Sequence, residues 1–234
     1  MSRLRTALGK EGLQLLVSLP SNDVELAKAA LAEGADGLKV HMNVSHRASG
    51  NSFGPLGHYE ATFQEIRSLY EGPFGIVPGG AMAEVKRDEI EKLPALGVDF
   101  FSIYAHHMST FLLGAKGLSK TFATDPAFDL KLVEGAKAFG MDALEASIIP
   151  GDEYGSPLHF GDLMKYRFLV QHARVPVIVP SQRKLTPEDV PALSECGVKA
   201  LLIGAVVTGR SKEGIQRAVS AFREAIDRTS GGSL

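Results

Sequence analysis

Few residue types in this chain can move a proton or form a carbon–nitrogen bond, and several recur at strand-like spacing. Lys39, His41 and Asn43 alternate with Leu38, Val40 and Met42. Ser102, Tyr104 and His106 alternate with Phe101 and Ile103. Glu145 and Ser147 alternate with Leu144, Ala146 and Ile148, and Gln14 and Ser18 form a further set near the start. Successive side chains on a strand point to opposite faces, so each polar set shares one face. Lysine and glutamate are rarely fully buried without a partner. A buried lysine beside a carboxylate is a candidate base or amine, and the carboxylate stays ionised next to it. Lys39 and Glu145 are therefore expected to act as a pair, by proton transfer next to a carbonyl or by forming a Schiff base. His41, Tyr104 and His106 are expected to orient the substrate. The competing reading of the pair is a structural ion pair that plugs the interior.

Seven histidines raise the question of a metal. His41 and His106, with Asn43 and Glu145, form a conceivable ligand set, but Lys39 would repel a cation placed among them. No metal or other cofactor is assigned, and a divalent ion is kept as the less favoured alternative.

These side chains can converge only if their strands lie side by side. Apolar runs mark strands at Leu13–Leu19, Gly37–Asn43, Phe74–Pro78, Asp99–Tyr104, Leu118–Ala123, Ala143–Ile149, Val175–Val179 and Ala200–Ile203. Helical patterns separate most of them, at Asp23–Ala32, Tyr59–Tyr70, Ala83–Leu96, Asp125–Phe139, Phe160–Ala173 and Thr186–Cys196, and Lys212–Arg228 closes the chain. Met108–Ala115 adds a short helix, and residues 1–12 read as a lead-in helix or coil. Thr186 followed by Pro187, Glu188 and Asp189 is a helix start, and Gly197 is the glycine that ends it. Alternation of strand and helix implies a parallel sheet. Eight strands favour a closed α/β (β/α)8 TIM barrel, in one domain spanning 1–234. Leu118–Ala123 is the most weakly marked strand, and without it the sheet would be open and doubly wound. Residues 229–234 read as a flexible tail.

Length and composition agree with one large domain: 234 residues, of which 44% are apolar. Net charge is −2 with the cations dispersed, which argues against nucleic acid or an anionic membrane as a partner. No apolar run reaches membrane-spanning length. The single cysteine, Cys196, allows no internal disulfide. The expected setting is the reducing cytoplasm, and a homo-oligomer is left open.

The segment Val44–His58 carries Gly50, Gly54, Pro55 and Gly57, and reads as a long irregular loop. Loops of this length are commonly functional. It follows a strand, so in a barrel it lies at the C-terminal face, where active sites are built. Its Arg47 is expected to reach an anionic substrate from an active-site lid.

Three stretches resemble the ribulose-phosphate-binding superfamily of phosphate-binding TIM barrels: Pro150–Gly155, the helix start at Thr186–Asp189, and Ile203-Gly204-Ala205. The resemblance implies a phosphate held by the loops after the seventh and eighth strands. Ser181, Gln182, Gly204 and Ala205 would contribute donors, with charge from Arg183 or Arg210. Pro180-Ser181-Gln182-Arg183 lacks the glycines usual at that turn. Shorter stretches are similar to single families: Leu15–Ser18 and Lys39 to furan-methyl phosphate synthases, Glu145 to prenylglyceryl-phosphate synthases, and Leu185–Asp189 to N-acetylmannosamine-6-phosphate epimerases. No one family accounts for all of them.

The expectation is an enzyme acting on a small phosphorylated or carboxylated anionic metabolite, as an isomerase, epimerase or aldolase-type lyase. The alternatives are a non-catalytic anion-binding or regulatory barrel and a metal-dependent sugar-phosphate epimerase.

Overall fold

A computed structural model describes residues 2–231 of the chain. Its strands, in chain order, are β1 (Gln14–Ser18), β2 (Gly37–His41), β3 (Val44–His46), β4 (Asn51–Phe53), β5 (Phe74–Val77), β6 (Phe100–Tyr104), β7 (Ser119–Ala123), β8 (Ala143–Glu145), β9 (Val177–Pro180) and β10 (Ala200–Ile203). Eight of these form a closed parallel barrel in the order β1-β2-β5-β6-β7-β8-β9-β10, returning to β1. The weakly marked strand is real. β7 runs beside β6 from Phe100↔Ser119 to Tyr104↔Ala123, and β8 joins its other edge. The molecule is therefore a (β/α)8 TIM barrel, and the open sheet is excluded.

The period-two pattern sorts the strand residues. Leu15, Val17, Leu38, Val40, Phe101 and Leu144 are buried in the layer shared with the helices. Leu16, Phe100, Ala143, Ile178, Ala200 and Leu202 point inward and form a second apolar cluster. Leu4 and Leu8 of α1 (Arg3–Leu8) join that cluster and stop the N-terminal end of the barrel with a greasy plug. Ser2 caps α1 through its hydroxyl. The lower interior is thus apolar, and polar inward residues begin only above it, towards the C-terminal ends of the strands.

One glycine makes this layer possible. An added Cβ at Gly75 would overlap the ring of Phe100, its register partner on β6. Gly75 also pairs with Lys39 on β2. The ring fills the space that a side chain at 75 would have taken, beneath the polar layer.

The helices on the outside are α2 (Val24–Ala32), α3 (Glu60–Ser68), α4 (Arg87–Lys92), α5 (Phe160–His172), α6 (Val190–Glu195), the short α7 (Ala205–Thr208) and α8 (Lys212–Gly231). Asp23 caps α2 by accepting from the N–H groups of Glu25 and Leu26. Thr186 and Asp189 form a capping box ahead of α6, and Gly197, at φ +83°, closes it. Among the described residues, no helix is long and apolar enough to cross a membrane.

Several boundaries differ from the sequence reading. The helix expected over Ala83–Leu96 is broken into α4 flanked by 3-10 turns, and Pro94 sits where the α-helix gives way. The helix expected from Asp125 is a 3-10 stretch from Leu130 to Phe139, capped by Asp129. β8 stops at Glu145 rather than Ile149, because Ser147 N–H and Ile148 N–H turn back to Glu145 and Ala146. Of the expected tail, Thr229–Gly231 continue α8, and 232–234 lie outside the described residues.

The largest correction concerns Val44–His58. It is an antiparallel hairpin, β3 paired to β4, followed by a 3-10 turn at Leu56–His58. Val44↔Phe53, Ser45↔Ser52 and His46↔Asn51 set its register. Gly50, at φ +66°, makes the turn and donates its N–H to His46 O. The glycines and the proline that made the segment look irregular mark the turn and the return of the chain.

Candidate active site

Lys39 lies in the middle of β2, paired with Ser18 on β1 and Gly75 on β5. Glu145 ends β8, across the barrel. Lys39 Nζ is 2.9 Å from Glu145 Oε1 and 2.8 Å from Oε2. Ser102 on β6 donates its hydroxyl to Oε2 at 2.7 Å. Lys39 is 5% exposed and Glu145 7%. Three strands thus place one ammonium, one carboxylate and one hydroxyl in contact, just above the apolar plug.

The pair borders a two-lobed cavity. The smaller lobe reaches towards β1, β9 and β10 and is lined by Ser18, Pro180, Ser181, Gln182, Leu202 and Gly204. The larger, of about 340 Å³, opens towards β5, β6 and the hairpin, past Val77, Gly79, Gly80, Ser102 and Arg47. Lys39, Glu145, Tyr104, Tyr154, Ser147 and His46 line both. The cavity lies at the C-terminal face of the barrel, the functional face of this fold.

His41 is fully buried beside the pair. Its Nε2 is 3.4 Å from Ser18 Oγ, and its Nδ1 has no protein partner among the described residues. Burial pushes this imidazole well below its ordinary pKa, with His46 and Lys39 adding to the effect. Its ring stacks on Phe53 at 4.7 Å and lies 4.3 Å from His46, so β3 and β4 pack directly onto β2's last residue. Burial likewise depresses His46, to about 4, with Lys39 as the next cause. The Tyr104 phenol is pushed up, first by burial and then by the neighbouring Tyr154.

Two residues expected inside the barrel leave it because strand alternation ends before them. Asn43 has φ 50°, a left-handed turn that starts the hairpin, and its Nδ2 bonds Glu89 Oε2 at 2.6 Å. It anchors the hairpin to α4 rather than facing substrate. His106 follows β6 in a 3-10 turn, Ala105–His107. It sits at the rim, half exposed, with Nδ1 2.9 Å from Asp125 Oδ2, and stacks on Tyr104 at 5.5 Å. Among the described residues, no three His, Cys, Asp or Glu side chains converge as a metal-ligand set.

The anion-binding expectation is partly redrawn. Ser181, Gln182 and Gly204 do line the smaller lobe. Their polar groups, however, are engaged within the protein. Ser181 Oγ accepts the Gly204 N–H at 2.8 Å. Gln182 Oε1 accepts the Ile149 N–H at 3.1 Å, and Nε2 donates to Tyr154 OH at 2.7 Å. Arg183 does not border the cavity. It is 4% exposed, and its guanidinium holds Asp162 at 2.8 Å, Glu153 at 2.7 Å and Ser156. Arg183 is thus a strut for the Gly151–Ser156 turn that carries Tyr154, not a substrate cation. Ala205 opens α7 behind Gly204, outside the cavity lining.

Arg47 lies on the hairpin between β3 and β4. It is exposed, lines the larger lobe, and forms no ion pair among the described residues. An added Cβ at Gly151 would overlap its guanidinium, so the hairpin's arginine reaches across to the loop after β8. Arg210 stands close to Gly50 at the hairpin turn, where a Cβ would meet its Nη2 at 2.8 Å. Asn51 Nδ2 bonds Pro20 O at 2.7 Å on the far side. The hairpin therefore spans the mouth of the barrel and touches the loops after β1 and β8 and the turn between α7 and α8.

Tyr154 and the hairpin's ring cluster were not singled out by strand spacing, since neither lies on a barrel strand. The available signal for Tyr154 was its place in the glycine-containing loop Pro150–Gly155.

No family model matches the chain, and no curated protein matches it in sequence. Its structure is similar to solved ones. Thiamine phosphate pyrophosphorylase from Pyrococcus furiosus aligns over 97% of this chain and 98% of its own, at 16% identity and a TM-score of 0.67. The tryptophan synthase A-subunit from the same organism aligns over 91% and 98%, at 16% identity and a TM-score of 0.69. Tryptophan synthase from Mycobacterium tuberculosis aligns over 95% and 94%, at 13% identity and a TM-score of 0.73. At these identities, what the chain shares with those enzymes is the TIM-barrel fold.

Proposed function

We propose that this protein is an enzyme acting at the carbonyl group of a small phosphorylated or carboxylated metabolite, with Lys39 and Glu145 as its reacting pair. The observation that carries this reading is the Lys39–Glu145–Ser102 contact at the waist of a cavity on the functional face of the barrel. A buried lysine held on a carboxylate has a built-in proton acceptor. Glu145 takes a proton from the Lys39 ammonium as the freed amine adds to the carbonyl carbon. The carbinolamine oxygen takes a second proton from nitrogen. Glu145 returns its proton to that hydroxyl, which leaves as water with an iminium remaining on Nζ. An iminium next to a C–H or C–C bond supports isomerisation, epimerisation or aldol-type cleavage alike. Arg47, a cation at the mouth that forms no ion pair among the described residues, suits a phosphate or carboxylate on the substrate. The reaction needs no metal or other cofactor in this reading, and the expected compartment is the cytoplasm.

One observation favours a second reading, a binding barrel without chemistry: both charges of the pair are saturated by each other. A single experiment separates the two. The protein is incubated with a panel of three- to five-carbon aldehyde and ketone phosphates and 2-oxo acids, reduced with borohydride, and mapped by mass spectrometry. A reduced adduct on Lys39, absent in Lys39→Met and strongly diminished in Glu145→Gln, is the expected result. Thermal stabilisation by a panel compound with no adduct and no turnover supports the binding barrel instead.

A further inference from the structure

Moving the proton next to the carbonyl needs a base, and most candidates in and around the cavity are already occupied. Both oxygens of Glu145 are taken by Lys39 and Ser102. His41 is sealed behind Phe53 and Ser18. His106 faces Asp125 at the rim. The Tyr104 phenol is held in its protonated form by burial.

His46 is different. It sits on β3, the first strand of the hairpin, and borders both lobes together with Lys39 and Glu145. Its Nδ1 is 2.9 Å from Ser49 Oγ, and Ser49 is completely buried and also accepts the Asn51 N–H at 3.3 Å. The ring of His41 backs it at 4.3 Å. The imidazole is thereby oriented by its own hairpin turn. Its Nε2 makes no hydrogen bond to protein among the described residues.

We infer that His46 is a catalytic residue of this site: as the Nδ1–H tautomer, bonded to Ser49, it takes a proton at Nε2 from the carbon next to the Lys39 iminium. In that step the C–H electron pair becomes the enamine double bond. The iminium π pair returns to Nζ, and the proton resides on Nε2 until it is given back to carbon or to a leaving fragment. The orientation of one ring nitrogen by a hydrogen bond to the other is a recurrent way of setting a histidine's role. Burial disfavours the charged form of the ring, the Lys39 ammonium adds to that effect and Glu145 opposes it, while His41 stands neutral behind. The free imidazole is therefore neutral over the ordinary range of pH, with its lone pair available.

This inference rests on the Lys39 reading, and the test keeps the two apart. Asn replaces His46, because its amide can still reach Ser49 while Nε2 is removed. The same panel is used, in D2O, following deuterium wash-in next to the carbonyl by mass spectrometry or NMR. The expected result is that wild type incorporates deuterium from at least one panel compound. His46→Asn loses incorporation by about 10² to 10⁴ yet still yields the borohydride-trapped Lys39 adduct, which also reports that it is folded. In 15N-edited spectra at pH 7, the His46 ring is expected as the Nδ1–H form. Incorporation in His46→Asn within threefold of wild type, or an Nε2–H ring, overturns the assignment of His46 and leaves Lys39 standing. No adduct on Lys39 in wild type overturns the reading itself, and this assignment with it.

Discussion

Ser102 donates its hydroxyl to Glu145 Oε2 at 2.7 Å, the same oxygen that lies 2.8 Å from Lys39 Nζ. The hydroxyl leaves the ion pair intact while fixing which way the carboxylate turns. Removing one charge of a buried pair strands the other, at a cost of about 3–5 kcal/mol, whereas replacing both with apolar residues of similar size is often close to neutral. Glu145→Gln and Lys39→Met are each expected to lower unfolding free energy in urea by that amount, and Lys39→Met/Glu145→Leu by much less. Ser102→Ala, which removes a hydrogen bond to a charged group, is expected to cost about 1.5–3 kcal/mol. Single variants as stable as wild type would show that water enters the site and solvates the pair.

His46 makes stability depend on pH with a definite sign. Its imidazole is depressed from an ordinary value of 6.5 to about 4. Between those values the unfolded chain binds a proton that the folded one refuses, so stability falls as pH drops through this window. Asp99 has the opposite sign. Burial raises it from 3.8 to about 6, so its protonated form favours the fold at the acid end. The informative quantity is the difference between wild type and His46→Asn. That difference is expected to shrink steadily from pH 6.5 to pH 4 in chemical denaturation. A constant offset across the window would mean that His46 titrates normally.

Gly75 is expected to tolerate no side chain. Alanine there would overlap the Phe100 ring inside a closed barrel. Overpacking of this kind costs about 1–3 kcal/mol. Pairing Gly75→Ala with Phe100→Leu should recover part of the loss, since the smaller side chain vacates the same space. A double variant no more stable than Gly75→Ala alone would count against this packing account.

Arg183 should prove a structural residue with a functional consequence. Arg183→Met leaves Asp162, which is fully buried, without its counter-charge. A loss of about 3–5 kcal/mol is expected, with Arg183→Met/Asp162→Leu closer to wild type. In hydrogen exchange, the Gly151–Ser156 turn should open more often in Arg183→Met, because Glu153 and Ser156 lose their common anchor. If Arg183 were instead the substrate's cation, its removal would weaken binding of inorganic phosphate and leave stability unchanged.

The barrel was legible in the chain because it rests on local rules. Thr186, Pro187 and Asp189 form a helix-start motif through contacts within four residues, and Gly197 ends the helix with a conformation other residues resist. Even β7, the faintest strand in the sequence, took its place because its neighbours on both sides left one gap to close. The hairpin was harder to read. Gly50 and Gly54 mark turns, but only the packing of Phe53 on His41 and the Asn43 anchor on Glu89 turn Val44–Phe53 into a pair of strands.

The same division holds at the site. Alternation along β2, β6 and β8 is enough to send Lys39, Ser102 and Glu145 inward, because a strand has only two faces. It fails at Asn43 and His106, each two residues past its strand end, where a positive φ and a 3-10 turn redirect the side chains. Arg183 shows the other limit. Its charge was plain in the sequence, but the partner that consumes it, Asp162, lies on a different element, α5, and is brought to it only by folding. Within the barrel strands, sequence by itself determined which residues face the axis, since that depends on the local period. Tertiary structure alone decided which of them keep a free polar atom in the cavity, since that depends on which distant groups fold against them.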